Sequence, residues 1–117
     1  MQAGSSRSVK VFYPARSREE ILRALEQGVA RLAARVPLVE VVLFGSLAAG
    51  RHTVASDIDL LVVHRDDVED DVFALAKQTI AVRGLEPHVY RESDARALRP
   101  RLARMIEGGI RLYTPGR

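Results

Sequence analysis

Apolar positions recur along this chain in two rhythms, every third or fourth residue and nearly continuous, and each rhythm predicts an element. Ser17 stands three residues before Glu20, the spacing of a capping box that starts a helix. Behind it Ile21, Leu22, Leu25, Val29, Leu32 and Ala33 share one helical face, and Pro37 ends the run. Leu38 to Phe44 is β-branched and apolar between Pro37 and Gly45, which reads as a mostly buried strand. Asp57 to His64 reads as a second strand, and the small residues of Gly45 to Ala55 form the loop between them. Ahead of all this, Val9 to Tyr13 alternates like a short edge strand stopped by Pro14, after a polar tail that reaches to about Ser8.

Helical spacing returns over Asp67 to Val82 through Val68, Val72, Phe73, Ala76 and Ile80, with Gly84 placed as a C-terminal cap. Leu85 to Tyr90 is a shorter strand, and Pro87 inside it predicts an edge or bulged position. Ser93 is positioned to cap a last helix that turns Leu98, Leu102, Met105 and Ile106 inward. Pro100 should kink or divide that helix. Gly108 and Gly109 end it, and Ile110 to Tyr113 is a final strand. The predicted order β-α-β-β-α-β-α-β implies an α/β (α+β) fold, one mixed sheet with helices packed on it.

Composition narrows the picture. At 117 residues the expectation is a tail over residues 1–8 and one domain over residues 9–117, with enough chain for a real core. The absence of cysteine removes disulfides, thiolate metal sites and cysteine nucleophiles, and fits a reducing cytoplasm. No apolar run is long enough to span a bilayer, and Met1 to Lys10 lacks the apolar centre of a secretory signal. The expected location is therefore the cytoplasm. The net charge of +3 hints at nucleic acid, but residues 1–18 alone carry four basic side chains and no acid. The rest of the chain has 14 basic and 15 acidic residues, so nucleic acid is not expected as a direct substrate. Arg96, Arg99, Arg101 and Arg104 cluster near the C-terminus, either as a solvated helix face or as a surface for phosphate or a partner.

The chemistry concentrates in Val41 to Val63, VVLFGSLAAGRHTVASDIDLLVV. Aspartate is disfavoured in strands, yet Asp57 and Asp59 open one that continues through Leu60 to Val63. Alternation sends both side chains to the same face, where two carboxylates repel unless a cation or proton lies between them. An oxygen-only pair with no soft neighbour suits Mg²⁺, or Mn²⁺. The bland alternative is two solvated acids at a strand end. Gly45 and Ser46 directly follow a buried strand; glycine lets a phosphate approach the backbone, and serine offers an amide and a hydroxyl. If a short helix began at Ser46, its first amides would also face the anion. GSLAAGRH has the glycine spacing of a P-loop, but Arg51 and His52 replace the required Lys and Ser or Thr, which excludes that motif. His52 and His64 have no metal-type spacing and read as ordinary surface or strand-end residues.

Gly-Ser, ten intervening residues and Asp-x-Asp together resemble the signature of the DNA polymerase β-like nucleotidyltransferase superfamily. The pattern from about Ser17 to Tyr113 is similar to its minimal nucleotidyltransferases, stand-alone domains often paired with HEPN-domain toxins. The resemblance implies a polymerase β-like fold, ATP or another NTP held at Gly45 and Ser46, and two Mg²⁺ ions held by Asp57 and Asp59. It also implies a third carboxylate from a later strand. Glu86, His88 and Tyr90 share one face of that strand, so Glu86 is the candidate acid and His88 the alternative occupant. The implied activity is transfer of AMP to a hydroxyl of a HEPN-type toxin partner, which makes the chain an antitoxin. So small a domain has no helical subdomain for an acceptor, so a partner or a homo-oligomer would have to complete the pocket. Two further readings stay open: an inactive antitoxin that acts by contact, and a small-molecule adenylyltransferase of the antibiotic-modifying type.

Overall fold

A computed structural model describes residues 17–53 and 56–115. The tail and the strand expected over Val9 to Tyr13 lie outside the described residues. The elements run α1 (Arg18–Ala33), β1 (Leu38–Phe44), β2 (Ile58–His64), α2 (Val72–Ile80), β3 (Leu85–Arg91), α3 (Glu92–Ala97), α4 (Arg99–Met105) and β4 (Ile110–Tyr113). They build one four-stranded sheet in the order β3-β2-β1-β4. β1 is antiparallel to both β2 and β4, whereas β2 and β3 are parallel, so the sheet is mixed as expected. Pro87 falls on β3, the outer strand, where a residue without N–H costs no interior ladder bond.

Local chemistry explains most of the boundaries. The capping box forms in α1: Ser17 Oγ accepts from the Glu20 amide, and the Glu20 carboxylate accepts from the Ser17 amide. Pro100 sits in the first turn of α4, where its missing N–H is harmless, and the expected division falls there, between α3 and α4. Two expectations are corrected. The second helix is shorter than Asp67 to Val82, because Asp71 caps it by accepting from the Ala74 amide, 3.1 Å away. Extending it backward would stack Asp66 on Asp70 and Asp67 on Asp71, like charges four residues apart. Its C-cap is Ala81, left-handed at φ 55°, while Gly84 (φ 83°) turns the chain into β3.

Ser93, in turn, does not cap the last helical segment. Helix α3 already begins at Glu92, and the Ser93 amide donates to Asp66, 2.9 Å away, from the loop after β2. A carboxylate distant in sequence does the work expected of a local hydroxyl, and that donated bond holds the Asp66 carboxyl below its ordinary range.

Helices cover both faces of the sheet. On one face Val41, Leu43, Ile58, Leu60 and Val62 pack against Leu25, Val29 and Leu32 of α1 and against Val72, Ala76 and Ile80 of α2. On the other, Val42, Phe44, Leu61 and Val63 pack against Ala95 of α3 and Leu102 of α4. Each fully buried aliphatic side chain contributes about 1.5–3 kcal/mol relative to exposure. Strands buried on two sides lose the alternation of polar and apolar residues, which is why β1 and β2 read as continuous apolar runs. Among the described residues, no helix is long and apolar enough to cross a membrane.

Candidate active site

Antiparallel pairing sets Phe44, the last residue of β1, beside Asp59, the second of β2. The chain then turns at Gly45 with φ 84°, a conformation that costs glycine nothing. A Cβ built on Gly45 would lie 2.5 Å from Asp59 Oδ2, so the carboxylate occupies the space a side chain would need. The Gly-Ser turn and the Asp-x-Asp strand therefore meet at this atom.

Residues 45–50 form consecutive turns and no helix, which corrects the short helix considered from Ser46. The Ala49 amide donates to the Gly45 carbonyl at 3.1 Å, and the Arg51 amide to the Ser46 carbonyl at 2.8 Å. Among the described residues no acceptor takes the amides of Ser46, Leu47 or Ala48, which leaves three N–H groups for an anion. Two anchors hold the turn. Leu47 is buried in the core, and the Arg18 guanidinium donates to the carbonyls of Leu47 (3.0 Å) and Ala48 (3.2 Å). Sequence reasoning misses Arg18: it acts across about 30 residues, and nothing in its neighbourhood marks it.

Asp57 is exposed and immediately precedes β2, and just before it the Thr53 amide donates to Ser56 Oγ at 3.1 Å. The β2 ladder starts with the Ile58 amide donating to the Gly84 carbonyl at 2.8 Å, which ties the site to the entrance of β3. Parallel register then pairs Asp59 with Glu86 and Leu61 with His88. Glu86 is exposed. His88 reaches back along the strand, placing Nε2 3.3 Å from Asp59 Oδ1, with its ring tilted against Phe44 at a centroid distance of 5.1 Å. The residue drawn to Asp59 is thus the alternative occupant, while the candidate acid Glu86 is paired with Asp59 in the register and exposed. His64 lies at the other end of β2, its Nδ1 2.7 Å from the Arg65 carbonyl.

The donor chemistry fits a divalent cation only in part. Asp59 and His88 present an oxygen and a nitrogen to one point, but among the described residues no three His, Asp or Glu side chains converge. Hard cations such as Mg²⁺ commonly take one or two carboxylates and draw their other ligands from water and substrate phosphates.

The profile of the nucleotidyltransferase domain family matches residues 22–113, and the chain belongs to that family. No curated protein matches the sequence. Among solved structures, a Sulfolobus solfataricus protein provisionally designated a nucleotidyltransferase is similar in fold, with a TM-score of 0.60 at 21% identity over 84% of each chain. A chain of a toxin–antitoxin complex solved with AMP-PNP is similar at a TM-score of 0.55 and 21% identity, over 76% of this chain and 73% of that one.

Proposed function

We propose that this chain is a divalent-metal-dependent nucleotidyltransferase that moves AMP from ATP onto a hydroxyl of a HEPN-type toxin and so acts as its antitoxin. The observation that carries the reading is the contact of Gly45 with Asp59, which sets a turn, whose three amides have no acceptor among the described residues, beside an acid-bearing strand. Family membership supports nucleotidyl transfer. Fold similarity to a chain of a toxin–antitoxin complex with AMP-PNP agrees with the antitoxin role and the adenine nucleotide.

In this reading Gly45 and Ser46 hold the triphosphate through backbone amides and the serine hydroxyl. Asp57 and Asp59 hold Mg²⁺, and Glu86, the acidic residue of β3, is the third carboxylate. A pair of cations held there would help deprotonate the acceptor and offset charge on the leaving group. The acceptor oxygen bonds to the α-phosphorus as the bond to the bridging oxygen breaks, and pyrophosphate leaves with the electron pair. The protein's part is to align these groups and exclude alternative geometries.

Among the described residues no three ligands converge, which favours a second reading, an inactive module that silences its toxin by contact. One experiment separates the two. The toxin is incubated with the chain, Mg²⁺ and labelled ATP, and intact masses are measured. A nucleotide adduct that disappears with Asp57→Asn and with Asp59→Asn supports transfer. A tight complex without adduct, at any enzyme concentration, supports the contact mechanism.

A further inference from the structure

We infer that His88 supplies a nitrogen ligand to the metal site, and that the site therefore prefers Mn²⁺ to Mg²⁺; this rests on the nucleotidyltransferase reading above. Three observations support it. The imidazole Nε2 is 3.3 Å from Asp59 Oδ1, close to the spacing of about 3 Å between neighbouring donors of one cation with bonds of about 2.1 Å at right angles. The ring is held in that direction by Phe44, whose own position is fixed in the core beneath α3 and α4. Both partners are partly open, with side-chain exposures of 34% for His88 and 30% for Asp59, so a hydrated ion has access to the pair.

The ligand type then decides which ion is held. Mg²⁺ binds oxygen almost exclusively and gives up water reluctantly, so an imidazole adds little to its affinity. First-row transition ions accept imidazole readily, and their affinity for mixed nitrogen and oxygen sites rises from Mn²⁺ onward. A nitrogen donor added to the carboxylates therefore strengthens the hold on Mn²⁺ more than the hold on Mg²⁺.

Pulsed electron paramagnetic resonance of the full chain with Mn²⁺ and inorganic triphosphate tests this, the triphosphate being chosen because it brings no nitrogen of its own. The expected result is a ¹⁴N hyperfine coupling on bound Mn²⁺ that shifts when the histidines are labelled with ¹⁵N. It should vanish in His88→Gln and persist in His52→Gln and His64→Gln. Competition should show Mn²⁺ retained against excess Mg²⁺, with the ratio of affinities falling about tenfold or more in His88→Asp. Bound Mn²⁺ without nitrogen coupling in the unaltered chain overturns the role of His88 and leaves the nucleotidyltransferase reading standing. Failure of the chain to bind Mn²⁺ at all removes both. Because the labelled unaltered chain carries the central measurement, poor folding of a variant does not blunt it.

Discussion

A single methyl group at residue 45 would meet the Asp59 carboxylate at 2.5 Å and would be asked to adopt a φ of 84°. Gly45→Ala should therefore lose about 1–3 kcal/mol of stability from backbone strain alone. It should also turn Asp59 away and weaken Mn²⁺ binding about tenfold or more. Thermal unfolding and metal titration read the two effects separately, and unchanged metal affinity would detach Gly45 from the site. Asp66 makes a prediction of a different kind. The Ser93 amide holds its carboxyl below the ordinary value of 3.8, so the folded state favours the charged form. Its stabilisation is complete well above pH 3.8, shrinks as the pH falls below that value, and is gone below the lowered folded value. Asp66→Asn should be less stable than the parent at neutral pH, and the gap should narrow on acidification. Denaturant unfolding at a series of pH values checks this.

Helices α1 and α2 touch where Gly28 faces Ile80, and a Cβ there would come within 2.8 Å of the Ile80 Cα. Alanine is the better helix former by about 1 kcal/mol, yet Gly28→Ala should destabilise by about 1–3 kcal/mol because backbone cannot yield as a flexible side chain can. A rise in melting temperature would show that the helices part freely. The elements most legible in the sequence are those whose causes are local. Ser17 and Glu20 announce α1, Pro37 and Gly45 bracket β1, and Pro100 divides the last helices. What escapes is set at a distance. The start of α3 depends on Asp66, 27 residues away, and the N-terminal bound of α2 on which of several adjacent acids takes the capping position. The site follows the same division. Spacing alone nominates Gly45, Ser46, Asp57 and Asp59. Their arrangement depends on the pairing of Phe44 with Asp59 and on Arg18, and the reach of His88 to Asp59 on the register of β3.

Across the whole molecule, the layers are joined at a buried charge. Glu40 is 7% exposed on β1, and its carboxylate accepts from Arg111 of β4 and lies 3.7 Å from Arg99 of α4. Glu40→Ala removes the acceptor on which both cations converge, and should cost about 1.5–3 kcal/mol, the range for hydrogen bonds to charged groups. Chemical denaturation measures it, and a parallel Arg111→Gln should lose less, since Arg111 is half exposed and can turn to water. Arg99 is one of the four arginines clustered in sequence, and its ion pair with Glu40 means the cluster is not wholly a free surface.

The outer strands of the described sheet are unequal, and neither invites company. β4 has four residues, too short a template for a foreign chain to zip onto, and β3 carries a proline with no N–H to give. A crowded cell is full of extended segments seeking an unpaired rim, and among the described residues this protein offers them a stub and an interrupted border. Association should then proceed through helices and loops, and resistance to fibril growth should fall when Pro87 is replaced by a residue that can complete the row.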